Sequence, residues 1–93
     1  MKAMHTHWYN VAEGVVMVRA YVLVKIEAGR AKEILEGLRS INAVQRADAV
    51  TGPVDLIVQV DAEDPRALAE LIFRSIQTVS GVKETDTRIV IED

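Results

Sequence analysis

Polar side chains that could hold a small zwitterion occur at two places in the sequence. Asp55 interrupts an apolar run directly after a short Gly-Pro turn. Thr85 and Thr87 supply hydroxyls two residues apart, and Ser75 and Gln77 precede them closely. A carboxylate accepts hydrogen bonds from an ammonium group, while hydroxyl and backbone donors bind a carboxylate. These groups together would suit a free zwitterion. Each also has a purely structural explanation, because Asp in a turn often bonds to its own backbone and Thr is common in strands.

The sequence contains no convincing catalytic set. His5 and His7 form an i, i+2 pair near the N-terminus without a third metal ligand nearby. The chain has no cysteine, so it offers no thiol nucleophile, disulfide or thiolate metal site. No glycine-rich phosphate loop is present. We therefore expect a protein that is not an enzyme and that needs no metal or other cofactor.

Hydrophobic periodicity predicts the elements that position these groups. Four segments have the alternating or continuous apolar pattern that is typical of strands: residues 18–26, 44–50, 56–60 and 82–91. Two helices with one apolar stripe each fill the intervals, one after Gly29 and one from Asp64 and Pro65 to Gly81. The order is strand, helix, strand, turn, strand, helix, strand.

This order predicts an α+β, ferredoxin-like βαββαβ sandwich. The tight turn pairs the middle strands as a hairpin, and each strand-helix-strand crossover is right-handed. The expected sheet has four antiparallel strands in the order 4-1-3-2, with both helices on one face.

The other sheet face is predicted to be apolar and therefore covered. Alternation directs one set of residues toward the helices: Ala20, Val22, Val24, Leu56, Val58 and Val60. It directs another set away from them: Tyr21, Leu23, Ala47, Ala49, Ile57 and Val90. Since a monomer rarely exposes so much apolar area, we expect a homodimer through the sheet, with Tyr21, Leu23, Ile57 and Val90 in the interface.

Length, charge and hydropathy limit the classes of protein to which the chain can belong. Ninety-three residues with a net charge of −3 and scattered basic side chains predict one domain without direct nucleic-acid binding. No apolar run approaches a membrane span and no signal peptide is visible, so we expect no membrane contact and a cytoplasmic location.

Residues 1–16 are predicted to form a tail, or an arm whose Trp8 and Tyr9 pack on a neighbour. Residues 17–93 are predicted to form the single ligand-binding and oligomerisation domain.

Two segments resemble the effector domain of leucine-responsive/asparagine-type (Lrp/AsnC) transcriptional regulators. One is the turn with its flanks, AVTGPVDLIV at 49–58, and the other is the closing stretch VSGVKETDTRIVI at 79–91. The strand AYVLV at 20–24 and the helix start at Gly29 fit as well. The resemblance covers residues 18–92, nearly all of the expected domain.

The resemblance implies a sheet-mediated dimer, assembled further into rings, that binds free amino acids in clefts between dimers. The ligand-binding positions that it implies here are Thr51, Gly52, Val54, Asp55, Gln77, Thr87, Arg88 and Ile89. Members of the family usually have an aromatic residue where Val54 stands. They also begin with a helix-turn-helix domain, for which the residues before the first strand are too few. The resemblance therefore suggests a stand-alone version, acting as a sensor or by mixed assembly with full-length regulators.

Two other interpretations share this topology. One is an amino-acid-binding module of the ACT type. The other is a small dimeric α/β-barrel enzyme of the monooxygenase or isomerase sort. Such an enzyme needs a polar or titratable group between its helices and sheet, whereas the inward positions here are aliphatic.

Overall fold

Two antiparallel sheets are present in the protein, which we describe from a computed structural model covering residues 9–10 and 15–91, with side chains from residue 17 onward. The smaller sheet pairs β1 (Tyr9–Asn10) with β2 (Val15–Val16). The larger elements then follow in chain order: β3 (Val18–Ile26), α1 (Ala31–Arg39), β4 (Val44–Ala49), β5 (Leu56–Ala62), α2 (Pro65–Leu71) and β6 (Val82–Ile89). A π-helical segment, Ile72–Ile76, continues directly from α2.

The larger sheet has the strand order β4-β5-β3-β6, and every neighbouring pair is antiparallel. Counted among these four strands alone, the order is 2-3-1-4, which is the predicted 4-1-3-2 read from the other edge. The ferredoxin-like α+β fold predicted from the sequence is confirmed. Both helices pack on one face, where their apolar stripes meet the inward side chains of the strands.

The second helix begins for identifiable reasons and continues as the π-helical segment. Asp64 is its N-cap, and its carboxylate accepts a hydrogen bond of 2.8 Å from the Ala67 N–H. Pro65 occupies the first position, where a missing N–H costs nothing. In the π-helical segment, the Gln77 N–H reaches the Ile72 carbonyl at 2.8 Å. Leu68, Ile72 and Ile76 are consequently all buried on the sheet side.

The core is entirely aliphatic. Its thirteen buried residues are Ala20, Val22, Val24, Ile34, Leu38, Ala47, Leu56, Val58, Val60, Ala62, Leu68, Ile72 and Ile76. None of the polar or charged side chains in residues 17–91 is buried. The interior between helices and sheet therefore offers no titratable group among these residues.

The prediction for β4 is wrong in one respect, since Ala47 and Ala49 do not share the outer face of the sheet. Val44 pairs with Val60, but the adjacent residue of β5, Gln59, pairs with Arg46, so that Gln45 is passed over. The extra residue is a β-bulge, and it shifts the alternation of β4 by one position. Ala47 therefore lies opposite Val58 and is only 2% exposed. Ala49 lies opposite Leu56, so Arg46 and Asp48 occupy the outer face instead.

The N-terminal region differs from the expected unstructured tail by the short pairing of β1 with β2. His5, His7 and Trp8 lie outside the described residues, so the arm and the histidine pair stay predictions, as does the division at residue 17. Among the described helices, none has the length and apolar character required to cross a membrane.

Candidate functional site

The hairpin turn between β4 and β5 exposes backbone donors. The Val50 N–H closes the turn on the Asp55 carbonyl at 2.9 Å, and Gly52 adopts a φ of 118° that favours glycine. Thr51, Gly52 and Pro53 are exposed, and Val54 is half-buried. Within residues 15–91, the N–H groups of Thr51, Gly52 and Val54 have no protein acceptor. The turn therefore carries three backbone donors that an anion could bind.

Asp55 ties this turn to the end of β3. Its Oδ2 accepts a hydrogen bond of 2.9 Å from the Ile26 N–H, and its own N–H donates to the Val24 carbonyl at 2.9 Å. The ladder between β3 and β6 shifts register between Lys25 and Ile26, and this irregularity coincides with the contact. Asp55 thus has a structural role. Its Oδ1 has no protein partner among the described residues and its side chain is exposed, so it can still accept from a ligand.

A groove of about 330 Å³ forms a second candidate element, between α2 with its π-helical extension and β6. Its lining is mostly apolar: Pro65, Leu68, Ala69, Ile72, Phe73, Gln77, Thr85, Thr87 and Ile89. Gln77 Nε2 donates to Thr85 Oγ1 at 2.8 Å, which fixes the amide at one end of the groove. The predicted residues Gln77, Thr87 and Ile89 are therefore brought together here.

Phe73 and the apolar wall of this groove were not among the predicted site residues. Phe73, the only phenylalanine in the chain, lines the groove and is 64% exposed. The sequence did contain a signal for this contact surface, because Phe73 falls outside the buried helical stripe formed by Leu68, Ile72 and Ile76. A large aromatic side chain on the outer side of a helix often marks a contact surface.

Arg88 does not share the groove with Thr87 and Ile89. Alternation along β6 places it on the outer sheet face, opposite Tyr21 in the ladder. Its Nε and Nη2 donate to the Asp86 carboxylate at 3.1 and 3.0 Å. This hydrogen-bonded pair lowers the pKa of Asp86 from its usual value. Arg88 is therefore placed at the predicted dimer face, where its charge is partly neutralised.

The turn and the groove are separate within one chain. The turn leads into β5, while the groove is bounded by β6, and β3 lies between these two strands. Adjacent strands are about 4.8 Å apart, so β5 and β6 are separated by about 10 Å. A site within one chain that used both elements would have to reach across β3.

Three of the predicted dimer residues, Tyr21, Leu23 and Ile57, share the outer sheet face, and Val90 directly follows β6. Tyr21 is 39% exposed, and Leu23, Ile57 and Val90 are half-buried. The bulge in β4 makes this face less apolar than predicted, because Arg46 and Asp48 replace Ala47 and Ala49 on it. The dimer interface itself stays a prediction.

The sequence profile described as the Lrp/AsnC ligand binding domain matches residues 19–93. The match covers the four-stranded sheet from the second residue of β3 onward, both helices and the two candidate elements. The chain belongs to the Lrp/AsnC ligand-binding domain family.

Two other proteins resemble the chain, one in sequence and one in both sequence and fold. An HTH-type transcriptional regulator of Pyrococcus furiosus is 30% identical over 71 residues, which are 76% of this chain and 48% of that protein. The chain thus spans about half the length of the curated relatives it matches. The crystal structure of FFRP-DM1 has a TM-score of 0.76 and 32% identity, over 80% of this chain and 99% of that one.

A third similarity concerns the fold alone. The transcriptional regulator NMB0573 of Neisseria meningitidis, solved as an L-Met complex, has a TM-score of 0.78 at 16% identity. It covers 100% of this chain, which corresponds to 57% of that one. The Lrp/AsnC domain here therefore matches a portion of a longer regulator in this comparison as well.

Proposed function

We propose that this Lrp/AsnC domain binds a free amino acid and regulates transcription through its assembly with other subunits. The observation that carries the proposal is the hairpin turn, where three backbone N–H groups without a protein acceptor directly precede Asp55, whose carboxylate keeps one oxygen without a partner among the described residues. Donors for a carboxylate and an acceptor for an ammonium group are the two halves of zwitterion recognition. The L-Met complex of the Neisseria regulator supports an amino acid as the ligand class.

The site would be completed by a second subunit. The turn residues Thr51, Gly52, Val54 and Asp55 are open to solvent on one side, so a neighbouring dimer can approach them. That neighbour would contribute Gln77 and the exposed edge of β6 with Thr87 and Ile89. We propose a homodimer through the outer sheet face as the unit that assembles in this way.

The regulatory role would be exerted as a sensor, or by mixed assembly with full-length regulators of the same family. The curated relatives that match are named transcriptional regulators, and this chain aligns with about half of them. Its net charge of −3 does not favour phosphate binding, so DNA contact would come from such partners. The aliphatic core does not favour the alternative of a barrel enzyme, which needs polar groups at these inward positions.

A thermal-shift screen of the twenty amino acids, followed by calorimetry on the best ligand, tests the proposal. Asp55→Asn is the decisive variant, because its amide oxygen can still accept from the Ile26 N–H while its charge is lost. Loss of a charged hydrogen bond costs about 1.5–3 kcal/mol, so affinity should fall by about ten- to a hundredfold. The matched control is Glu36→Gln on the exposed side of α1, which removes one negative charge elsewhere and should leave affinity unchanged.

Two results would contradict the proposal. If no amino acid shifts the melting temperature, the domain does not bind this ligand class. If Asp55→Asn binds with the affinity of the unmodified protein, Asp55 serves only to hold the turn against β3.

A further inference from the structure

The two edge strands of the four-stranded sheet differ in how their free edges are protected. β4 has a bulge at Gln45, and Arg39 Nε and Nη2 both donate to the Ala47 carbonyl at 3.1 and 2.6 Å. A bulge and a charged side chain at the edge are two of the means by which proteins prevent an edge strand from pairing with another chain. The β4 edge is therefore closed to a further strand.

β6 has a regular edge that lacks this protection. The Val90 N–H donates to a β3 carbonyl at 2.8 Å, and alternate residues of an antiparallel strand bond to the same neighbour. The backbone groups of Thr85, Thr87 and Ile89 therefore point away from β3. Within the described part of the chain they have no protein partner, and the ladder with β3 is unbroken over residues 84–89. The β6 edge is thus open to a further strand.

The open edge lies beside the apolar groove between α2 and β6. The side chains of Thr85, Thr87 and Ile89 line this groove together with Phe73. Phe73 is 64% exposed and Ile89 is 47% exposed. A strand added at this edge would bond to the β6 backbone and cover the exposed apolar side chains, as in β-strand addition generally.

We propose that the β6 edge pairs with the β6 edge of a second copy of the chain, antiparallel and about a two-fold axis at Thr87. Thr87 then exchanges two backbone hydrogen bonds with the partner's Thr87, and Thr85 pairs with the partner's Ile89. The two sheets become one continuous sheet, and the two grooves meet with a Phe73 from each subunit beside the shared seam.

The charges on β6 select this register. With the axis at Thr87, Arg88 lies directly opposite the partner's Asp86, and the contact is made twice by symmetry. These are non-hydrogen-bonded positions, where facing side chains are closest, and opposite charges there are favourable. An axis at Asp86 or Arg88 would place that residue opposite its own copy. An axis at Thr85 would place Glu84 opposite the partner's Asp86, so like charges would meet.

The contact is small, because it consists of one strand pair and the apolar surface beside it. Interfaces of this kind belong to the weak class, so pairing should be detected at protein concentrations on the order of hundreds of micromolar rather than a few micromolar. It occupies backbone groups of β6, whereas the proposed amino-acid site uses the side chains of Thr87 and Ile89. All measurements are made without amino acids, so the two proposals fail independently.

Disulfide trapping tests the register, because the chain has no cysteine of its own. Cα atoms of a hydrogen-bonded antiparallel pair are about 5.5 Å apart, within the range of about 4.4–6.8 Å that a disulfide spans. Thr87→Cys should therefore form a disulfide-linked dimer under mild oxidation, seen on a non-reducing gel. Ala49→Cys, exposed at the end of the other edge strand, is the matched control and should stay unlinked.

Proline substitution tests the backbone contact. Thr87→Pro removes an N–H that points away from β3, a change that an edge strand tolerates. Both central hydrogen bonds of the pair are then lost, so the dissociation constant of the β6 contact should rise at least about tenfold in sedimentation equilibrium. Ala49→Pro makes the same change at the β4 edge and should leave association unchanged. Circular dichroism checks that both variants are folded.

Two results would overturn the proposal. One is a Thr87→Cys chain that forms no more linked dimer than Ala49→Cys. The other is a folded Thr87→Pro variant that associates as strongly as the unmodified protein. If Thr87→Pro does not fold, the trapping experiment alone decides.

Discussion

At the residue scale, Gly81 is more constrained than Gly29, Gly37 or Gly52. It directly precedes the last strand with a φ of 98°, and its carbonyl accepts from the Glu27 N–H at 2.8 Å. A Cβ at this position would lie 2.6 Å from Ile34 Cδ1 and 3.1 Å from Arg30 Nη1. Gly81 thus meets two requirements, a left-handed backbone and the close approach of a core side chain.

Gly81→Ala should therefore destabilise the protein by about 2–4 kcal/mol, from the positive φ together with overpacking. Gly29→Ala separates the two causes, because Gly29 has a φ of 81° with no atom within 4 Å of the added methyl. It should cost only about 1–2 kcal/mol. Urea unfolding of both variants measures the difference, and equal losses would show that Ile34 yields without cost.

Asp55 shows how far single residues could be predicted. The sequence alone left open whether its carboxylate binds a ligand or holds the backbone. The structure gives it a backbone partner, the Ile26 N–H, which lies 29 residues away in the chain. No local pattern predicts that contact, because it depends on the pairing of β5 with β3.

At the element scale, β4 is where sequence periodicity failed. The first residues of the four strands, the hairpin and the inward sets of β3 and β5 were predicted, while the ends of β4, β5 and β6 differ by one or two residues. The inward sets could be predicted because strict alternation with aliphatic residues leaves one choice of face. The sequence of β4 mixes Ala, Arg and Asp, so the alternation carries little signal, and one extra residue at the bulge reverses it. The π-helical extension of α2 was not predicted either, since its apolar spacing also fits an ordinary α-helix.

The corrected register predicts different effects of substitution at Ala47 and Ala49, which sequence alternation had placed together on the outer face. Ala47→Asp would put a carboxylate into the core at a site 2% exposed, and should cost about 3 kcal/mol or more, or prevent folding. Ala49→Asp should change stability by less than about 1 kcal/mol, because Ala49 is exposed. Circular dichroism with urea titration distinguishes them, and equal tolerance of both variants would contradict the bulge.

At the scale of the whole molecule, the sheet has one face covered by helices and one face open. The open face has an apolar centre formed by Tyr21, Leu23 and Ile57, with charged pairs at both edges. An apolar centre with a polar rim is the usual anatomy of a protein interface. Burial of this face would also supplement a core that is small for a stable domain.

Leu23→Asp should release monomer, because it places a charge at the centre of the open face. We expect a dimer dissociation constant at least about a hundredfold higher, since central interface positions contribute most to affinity. Light scattering at micromolar concentration measures the change. Phe73→Asp, on the helix side of the molecule, is the control and should leave the dimer intact; a monomeric control or a dimeric Leu23→Asp would contradict the sheet-face interface.

The wholly aliphatic core also determines what light absorption and emission can report. Tyr21 lies on the open sheet face and Phe73 borders the groove, while none of the thirteen buried residues absorbs in the near ultraviolet. Trp8 and Tyr9 are the other aromatic rings of the chain, so a Trp8→Leu, Tyr9→Leu variant would leave only Tyr21 and Phe73 to report. In that variant, if the proposed sheet-face dimer forms, a near-ultraviolet transition that precedes the far-ultraviolet one on dilution would record dissociation of subunits that are still folded.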